Sequence, residues 1–330
     1  MKKLLIKLIE CQKLTFQESM ELMHGIAQNQ VNETQIAAIL TAFIIRSISI
    51  EELRGFRQAL LDLAIKVNLN NGYGIDLCGT GGDGKNTFNI STASSFVVAA
   101  AGYPVIKHGN YGATAISGSS NVMEYLGYKF SNNEGKLQRE LDMAGICFLH
   151  APLFHPALKA VGPTRKQLGV KTFFNMLGPL VNPANPLYQL SGVYCTEAGR
   201  IYSYFLQTEN RKYIVLHSLD GYDEISLTSP VRVFSRKGEK IIDLRDKGLK
   251  KVEPSEITGG KDICESAEIL VSVLENRSTP GQRSVVLANS AMAISCIDEK
   301  KSFGESLDIA SEAIVSGKAA GVLNKLIEIQ

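Results

Sequence analysis

No stretch of this 330-residue chain approaches the ~18 uninterrupted apolar residues that a membrane-spanning helix needs, so no transmembrane segment and no membrane partner are expected. The start, MKKLLIKLIECQKLT, begins like a secretory leader, but Lys7 and Glu10 interrupt it and it reads as an amphipathic helix. Charge of one sign is also scarce: a net charge of +2 creates no general field for polyanions, and nucleic acid is not implied. The six cysteines (Cys11, Cys78, Cys147, Cys195, Cys264, Cys296) include no CxxC pair. Several lie inside apolar runs, so buried, reduced thiols are favoured over staples or zinc, and a cytoplasmic location is expected. There is no low-complexity tract and no fixed-period repeat, while 45% hydrophobic and 21% charged residues exclude a disordered class. The length suits about two domains of ~150 residues each.

The chain offers three capping-box patterns early on: Thr15 with Glu18, Asn32 with Gln35, and Ser49 with Glu52. Each precedes apolar residues at helical spacing, such as Ile36, Leu40, Phe43 and Ile44, which predicts about four helices over residues 1–70. From Gly74 the texture changes. GIDLC reads as a short buried strand, ISTASSFVVAAAG as a helix stopped by Gly102, and YPVIKHGN as the next strand. A polar, small-residue loop, YGATAISGSSN, then opens the helix VMEYLG. Alternation of this kind argues for βαβ units and a largely parallel sheet. The Pro-rich, intermittently helical stretch that follows suggests a return to the helical domain at about 165–187, leaving 71–164 and 188–330 to an α/β domain. KYIVLHS and VRVFSRKG read as later strands, and two helices close the sequence, with breaks at Gly317 and Gly321.

In DLCGTGGDGKNTFNIST, residues 76–92, Gly79-Thr80-Gly81-Gly82-Asp83 separates a strand from a helix start. Unpaired backbone N–H groups and the positive end of a helix dipole would meet there, a geometry suited to oxyanions. Asn89, Ser91 and Thr92 can add donors at this helix, and Lys107 with Ser119 can do so near the second loop. One glycine loop alone could be only a tight turn; two of them with Lys107 between favour phosphate. Asn86 stands where a P-loop holds its metal through Ser or Thr, and the acid Asp83 within the run that opens Gly79-Thr80-Gly81 weakens a dinucleotide reading. Asp223-Glu224, beyond a strand, can bind hard cations through oxygen, and Mg²⁺ commonly joins one or two carboxylates to substrate phosphates. Such a pair on its own is usually a solvated surface patch; its weight comes from coexisting with the phosphate loops. His108 could touch a substrate or be structural. His150 and His155 have poor metal-ligand spacing. Arg165 has a planar fork suited to a carboxylate if it faces a cleft.

GTGGDGKNTFNIST, KHGN, SGSSNVMEYLG, RKQLGVKTFFNMLGPLVNP and DGYDEIS, in this order, resemble the successive signatures of the anthranilate phosphoribosyltransferase family, across essentially the whole chain. The resemblance implies a small all-helical domain and a larger α/β domain with a central, largely parallel sheet, of nucleoside phosphorylase/phosphoribosyltransferase type, joined by a hinge and usually forming a homodimer. It implies a Mg²⁺-dependent pentosyltransferase that moves phosphoribose from phosphoribosyl pyrophosphate (PRPP) to the amine of anthranilate, in tryptophan biosynthesis. Carried over by position, Gly79, Gly82, Asp83, Thr87, Asn89, Ile90, Ser91, Thr92, Lys107, His108, Gly109, Asn110 and Ser119 would contact PRPP. Ser91, Asp223 and Glu224 would hold two Mg²⁺ per monomer, and Asn110 and Arg165, with backbone at Gly79, would bind anthranilate. No indispensable general base is implied; Asp83, Lys107, Asp223 and Glu224 would act by electrostatics and positioning. The chain departs from the family's KHGNR at Tyr111, from its paired serines at Thr114 and Ala115, and from its GSAD at Asn121. Pyrimidine nucleoside phosphorylases, similar in fold, are generally longer and need no such Asp-Glu pair. Nucleic-acid-binding relatives would show a basic stripe and eroded metal residues.

Overall fold

The capping boxes decide where the first helices begin. In a computed structural model that describes residues 1–112 and 116–330, the side chains of Thr15, Asn32 and Ser49 each accept the N–H three residues on. Glu18, Gln35 and Glu52 return the bond to the cap's own N–H. These caps start α2 (Phe16–Ala27), α3 (Glu33–Arg46) and α4 (Ile50–Asp62), after α1 (Lys2–Ile9). Apolar residues at three- and four-residue spacing, including Leu22 and Ile26, Leu40 and Phe43, Leu53 and Phe56, form the buried face. Helices α2 and α4 approach closely at Gly55, where a Cβ would stand 2.4 Å from the Phe16 carbonyl oxygen.

The chain returns to these helices as α8 (Ala151–Phe154), α9 (Gly162–Leu168) and α10 (Phe174–Leu177). The Ile65 N–H donates to Phe154 O at 2.9 Å, Arg57 Nε donates to Leu180 O at 2.9 Å, and the Phe173 ring lies 4.7 Å from those of Phe43 and of Phe56. One compact unit is therefore Met1–Val67 with Ala151–Pro183; the other is Asn68–His150 with Ala184–Gln330. The units divide at 67, 150 and 183, where the sequence suggested about 70, 164 and 187. The return begins early because α8 starts at Ala151, directly after a strand that ends at His150.

The second unit is built on a seven-stranded sheet of order β3-β2-β1-β4-β5-β6-β7. Strands β1 (Ile75–Gly79), β2 (Val105–Gly109), β3 (Ile146–His150), β4 (Tyr188–Gly192) and β5 (Lys212–Ser218) run parallel. Strands β6 (Val231–Ser235) and β7 (Gly238–Ile242) complete one edge antiparallel. Helices α5 (Ile90–Ala100), α6 (Ser119–Tyr125), α7 (Glu134–Ala144) and α11 (Thr196–Leu206) connect strands, and α12 (Ile263–Leu274), α13 (Pro280–Ile297), α14 (Phe303–Val315) and α15 (Lys318–Glu328) close the chain. Helix α5 is buried almost all round because α13, α14 and α15 cover it, and the core runs from Ile75 and Phe96 to Val286 and Leu326. Gly317, at φ +75°, separates α14 from α15 as expected. Gly321 does not break the chain: it lies within α15, in helical register.

Among the described residues, no helix is long and apolar enough to cross a membrane.

Candidate active site

In a parallel sheet every strand opens its carboxyl end at the same edge, and ligands bind there. Strands β1, β2 and β5 deliver to that edge the glycine loop, the Lys107–Asn110 segment and the Asp223-Glu224 loop. Gly81, Gly82 and Gly84 have φ of +63°, +75° and +73°, a backbone that L side chains rarely adopt. Gly79 and Gly192 are glycine for a different reason: a Cβ would meet Asp223 Oδ2 at 2.5 Å in the first case and Asp223 O at 1.5 Å in the second. The strand ends thus press directly on the acid loop. Gly79, Gly81 and Gly84 do keep the 1-3-6 spacing of a dinucleotide fingerprint; what separates this loop from one is that α5 opens only at Ile90, well beyond the glycines.

The acids point inward. Asp223 Oδ2 accepts the Gly81 N–H at 2.6 Å, and Glu224 Oε1 accepts the Ser91 N–H, in the first turn of α5, at 2.9 Å. Burial, reinforced by the Asp83 charge, pushes the Asp223 carboxyl up to about 7. Burial, then the Asp223 charge, raises Glu224 well above the usual carboxylate range. Lys107 is buried, with Nζ donating to Leu77 O and reaching Ser91 Oγ at 3.4 Å. Among the described residues, the buried atoms Glu224 Oε2 and Asp83 Oδ2 have no hydrogen-bond partner, so acceptor oxygens remain for a cation. Among the described residues, no three of His, Cys, Asp and Glu form a ready metal cage. A hard divalent cation that keeps several waters and binds through one or two carboxylates fits this donor set.

The second loop is organised by Asn121. Its Oδ1 accepts the N–H of Gly118 at 2.9 Å and of Gly112 at 3.0 Å, the acceptor role an aspartate would play there. Ser119 Oγ donates to Asn110 O at 3.4 Å, and a Cβ on Gly109 would come 2.4 Å from that hydroxyl. The His108 N–H is held by Asp76 Oδ1 at 3.1 Å. The Tyr111 N–H donates to Asn110 Oδ1 at 2.8 Å, and its ring stands edge-on to His150 at 4.7 Å, whose Nδ1 bonds Ser120 Oγ at 2.8 Å. Thr114 and Ala115 lie outside the described residues.

Of the remaining candidates, Asn89 exchanges bonds of 3.3 Å with Ser117, joining the two loops, and Thr87 is tied by a backbone bridge to Thr258. Thr92 Oγ1 is buried and has no hydrogen-bond partner among the described residues. Ile90 is fully buried, so its side chain belongs to the core rather than to a ligand surface. Arg165 lies in the helical unit, on α9. Its guanidinium has no carboxylate within ion-pair reach among the described residues; Nη2 bonds Asn175 Oδ1 at 3.4 Å, and burial lowers its pKa.

The sequence reading missed Asn289 of α13. Its Oδ1 accepts the Ile225 N–H at 3.1 Å while Nδ2 donates to Ile225 O at 2.9 Å, clamping the residue after Glu224. A carboxamide inside the apolar run VVLANSAMA was the available signal, since buried amides are there to make hydrogen bonds. Ser218, at the end of β5, was also missed; its Oγ donates to Glu224 O at 2.7 Å.

The helical-bundle domain of the glycosyl transferase family matches residues 2–64, and that family's a/b domain matches 71–320. An anthranilate phosphoribosyltransferase of Christiangramia forsetii is 52% identical over 326 residues, covering 99% of this chain and 98% of its own. A crystal structure of anthranilate phosphoribosyltransferase from Thermus thermophilus superposes with a TM-score of 0.92 at 29% identity, over 99% of this chain and 98% of that one. The Saccharomyces cerevisiae enzyme in complex with PRPP and Mg gives 0.91 at 26% identity, over 99% and 96%. Since relatives agree end to end and the glycine and acid loops meet at one sheet edge, the chain belongs to the anthranilate phosphoribosyltransferase family.

Proposed function

We propose that the carboxyl ends of β1, β2 and β5 hold a sugar diphosphate whose anomeric carbon is captured by an aryl amine. The chain is a pentosyltransferase: it moves the 5-phosphoribosyl group from PRPP to the amine of anthranilate, giving N-(5-phosphoribosyl)anthranilate and pyrophosphate, the second step of tryptophan biosynthesis from chorismate. The observation that carries this assignment is the pair of inward-facing carboxylates, buried Asp223 and half-buried Glu224, one bonded to the glycine loop and the other to the first turn of α5.

Departure of pyrophosphate from C1 builds negative charge on the leaving group and positive charge on the ribose. Preorganised donors at the glycine loop and the α5 N-terminus, with Ser91, Thr92 and Lys107, oppose the first, an effect worth several kcal/mol in sites of this type. Ser91, Asp223 and Glu224 would hold Mg²⁺, two ions per monomer, which would supply positive charge against the departing pyrophosphate. Asn89, at the end of the first loop, and Ser119, at the end of the second, support the ribose and phosphates. The amine of anthranilate is already neutral at pH 7, so the chain's work is orientation: Arg165 grips the carboxylate and Asn110 aligns the ring. No general base is assigned. A homodimer and a cytoplasmic location complete the proposal, supported by the family resemblance.

The test is loss of anthranilate fluorescence when the purified chain is mixed with anthranilate, PRPP and Mg²⁺. Loss should stop when any one component is omitted, and continued loss without PRPP would end this assignment. Asp223→Ala and Glu224→Ala should each cut turnover severely and alter the Mg²⁺ dependence; near-normal rates would remove the metal assignment.

A further inference from the structure

Arg165 presents an electrostatic oddity. The residue is half-buried, and a guanidinium partly withdrawn from water is ordinarily paired with a carboxylate, yet among the described residues the one hydrogen bond to this guanidinium goes to a neutral oxygen, Asn175 Oδ1, 3.4 Å from Nη2. The Phe174 ring lies beneath it, 5.4 Å from the guanidinium carbon. The Asn175 carboxamide is itself pinned. Its Oδ1 also accepts the Thr172 N–H at 3.1 Å, while the Asn175 N–H donates to Thr172 O at 3.0 Å. Both bonds to Oδ1 come from donors, so the amide can stand only one way round, with oxygen toward the guanidinium. The oxygen's two lone pairs are then used, and among the described residues four of the five guanidinium N–H donors remain for something else.

We infer that Asn175 is a positioning residue for the acceptor substrate: its neutral oxygen aims the Arg165 fork without neutralising it, leaving the full charge for the acceptor's carboxylate. This rests on the reading that Arg165 binds anthranilate. An acid at this position could keep the Thr172 bond and the aim of the fork, but it would form an internal ion pair that the incoming carboxylate must break. A carboxamide is therefore preferred at 175 for its lack of charge as much as for its hydrogen bonds. Burial that already lowers the Arg165 pKa acts in the same direction, since a desolvated cation gains more from the arriving anion.

The discriminating experiment measures KM for anthranilate at saturating PRPP, and KM for PRPP at saturating anthranilate, for Asn175→Asp, Asn175→Ala and Arg165→Gln, with thermal midpoints for all three. Asn175→Asp should raise KM for anthranilate by on the order of tenfold or more, leave KM for PRPP within about twofold, and keep its thermal midpoint because the Thr172 N–H retains an acceptor. Asn175→Ala should lower the midpoint yet raise KM for anthranilate less than the acid does. A merely structural role predicts the opposite order, with Asp near wild type and Ala impaired, and that result would overturn the inference while leaving the role of Arg165 intact. An unchanged KM for anthranilate in Arg165→Gln would instead remove the acceptor assignment, and this inference with it.

Discussion

In the presence of a chelator, the acid cluster beneath the glycine loop should make the chain less stable at pH 8 than at pH 5.5, and magnesium should reverse the loss. Burial and the Asp83 charge move the Asp223 carboxyl from an ordinary 3.8 to about 7. Across that interval the folded chain keeps a proton that the unfolded chain has released, so folding stability falls as pH rises through it and levels off above about 7. At ~1.4 kcal/mol for each pH unit the whole interval corresponds to about 4 kcal/mol, and the part between pH 5.5 and 7 to about 2 kcal/mol. Glu224, raised for the same reason, adds in the same direction. Urea denaturation from pH 5 to 8, with EDTA or with Mg²⁺, should be run on wild type and on Asp223→Asn. The asparagine can still accept the Gly81 N–H, and the difference between the two curves cancels the titrating groups remote from this acid cluster. That difference should grow as pH rises without metal and shrink when Mg²⁺ is added. Parallel curves in EDTA, or equal stabilisation of both proteins by Mg²⁺, would refute the reading of these acids as a buried cation site.

Three further outcomes follow from other groups. His155, buried with Nε2 bonded to Val181 O at 2.8 Å, has its pKa pushed down to about 4, chiefly by burial. Its contribution is present above pH 6.5 and is lost as pH falls toward about 4, so His155→Gln should shift the acid-unfolding midpoint, followed by circular dichroism, to lower pH; an unmoved midpoint counts against it. Asn289→Ala strands the buried N–H and C=O of Ile225, which should cost about 1–3 kcal/mol in denaturant titration and lower kcat on the order of tenfold by loosening the acid loop; wild-type kcat at wild-type stability would show that the clamp is dispensable. Asn121→Asp should leave KM for PRPP within about twofold, because aspartate can accept the Gly112 and Gly118 N–H groups equally well; a large change would mean that the neutral amide has its own role.

The helical unit was legible where its signals are local. Each capping box pairs residues three apart, so Thr15–Glu18, Asn32–Gln35 and Ser49–Glu52 specify helix starts with no knowledge of the rest of the chain. The early return at Ala151 was not legible: α8 spans only four residues, too few for a period, and what holds it is the bond from Ile65, far earlier in sequence. Helix α13 hides for another reason. It is buried on nearly every side, so its apolar residues mark no face and no amphipathic pattern survives. Gly321 misled because glycine's cost inside a helix, about 1 kcal/mol, is small beside the packing of Ala319, Leu323 and Leu326 in the same helix.

Sequence proximity works differently in the site. Gly81 and Asp223 are 142 residues apart and Ser91 and Glu224 are 133 apart, yet each pair shares a hydrogen bond. Nothing in either motif requires that meeting; parallel pairing of β1 with β4 and of β4 with β5 does, because it brings the ends of β1 and β5 to one edge with a single strand between them. The motifs were readable because each carries its own chemistry: glycines that permit close backbone approach, and carboxylates adjacent in the chain. The supports were not. Asn289 reaches a partner 64 residues away, while Ser218 and Asn175 bond groups 6 and 10 residues away, and in each case a carboxamide or hydroxyl signals nothing until its partner is known. Buried polar side chains inside apolar runs are therefore where a sequence conceals the residues that hold its catalytic groups in place, and the lone asparagine of VVLANSAMA is one of them.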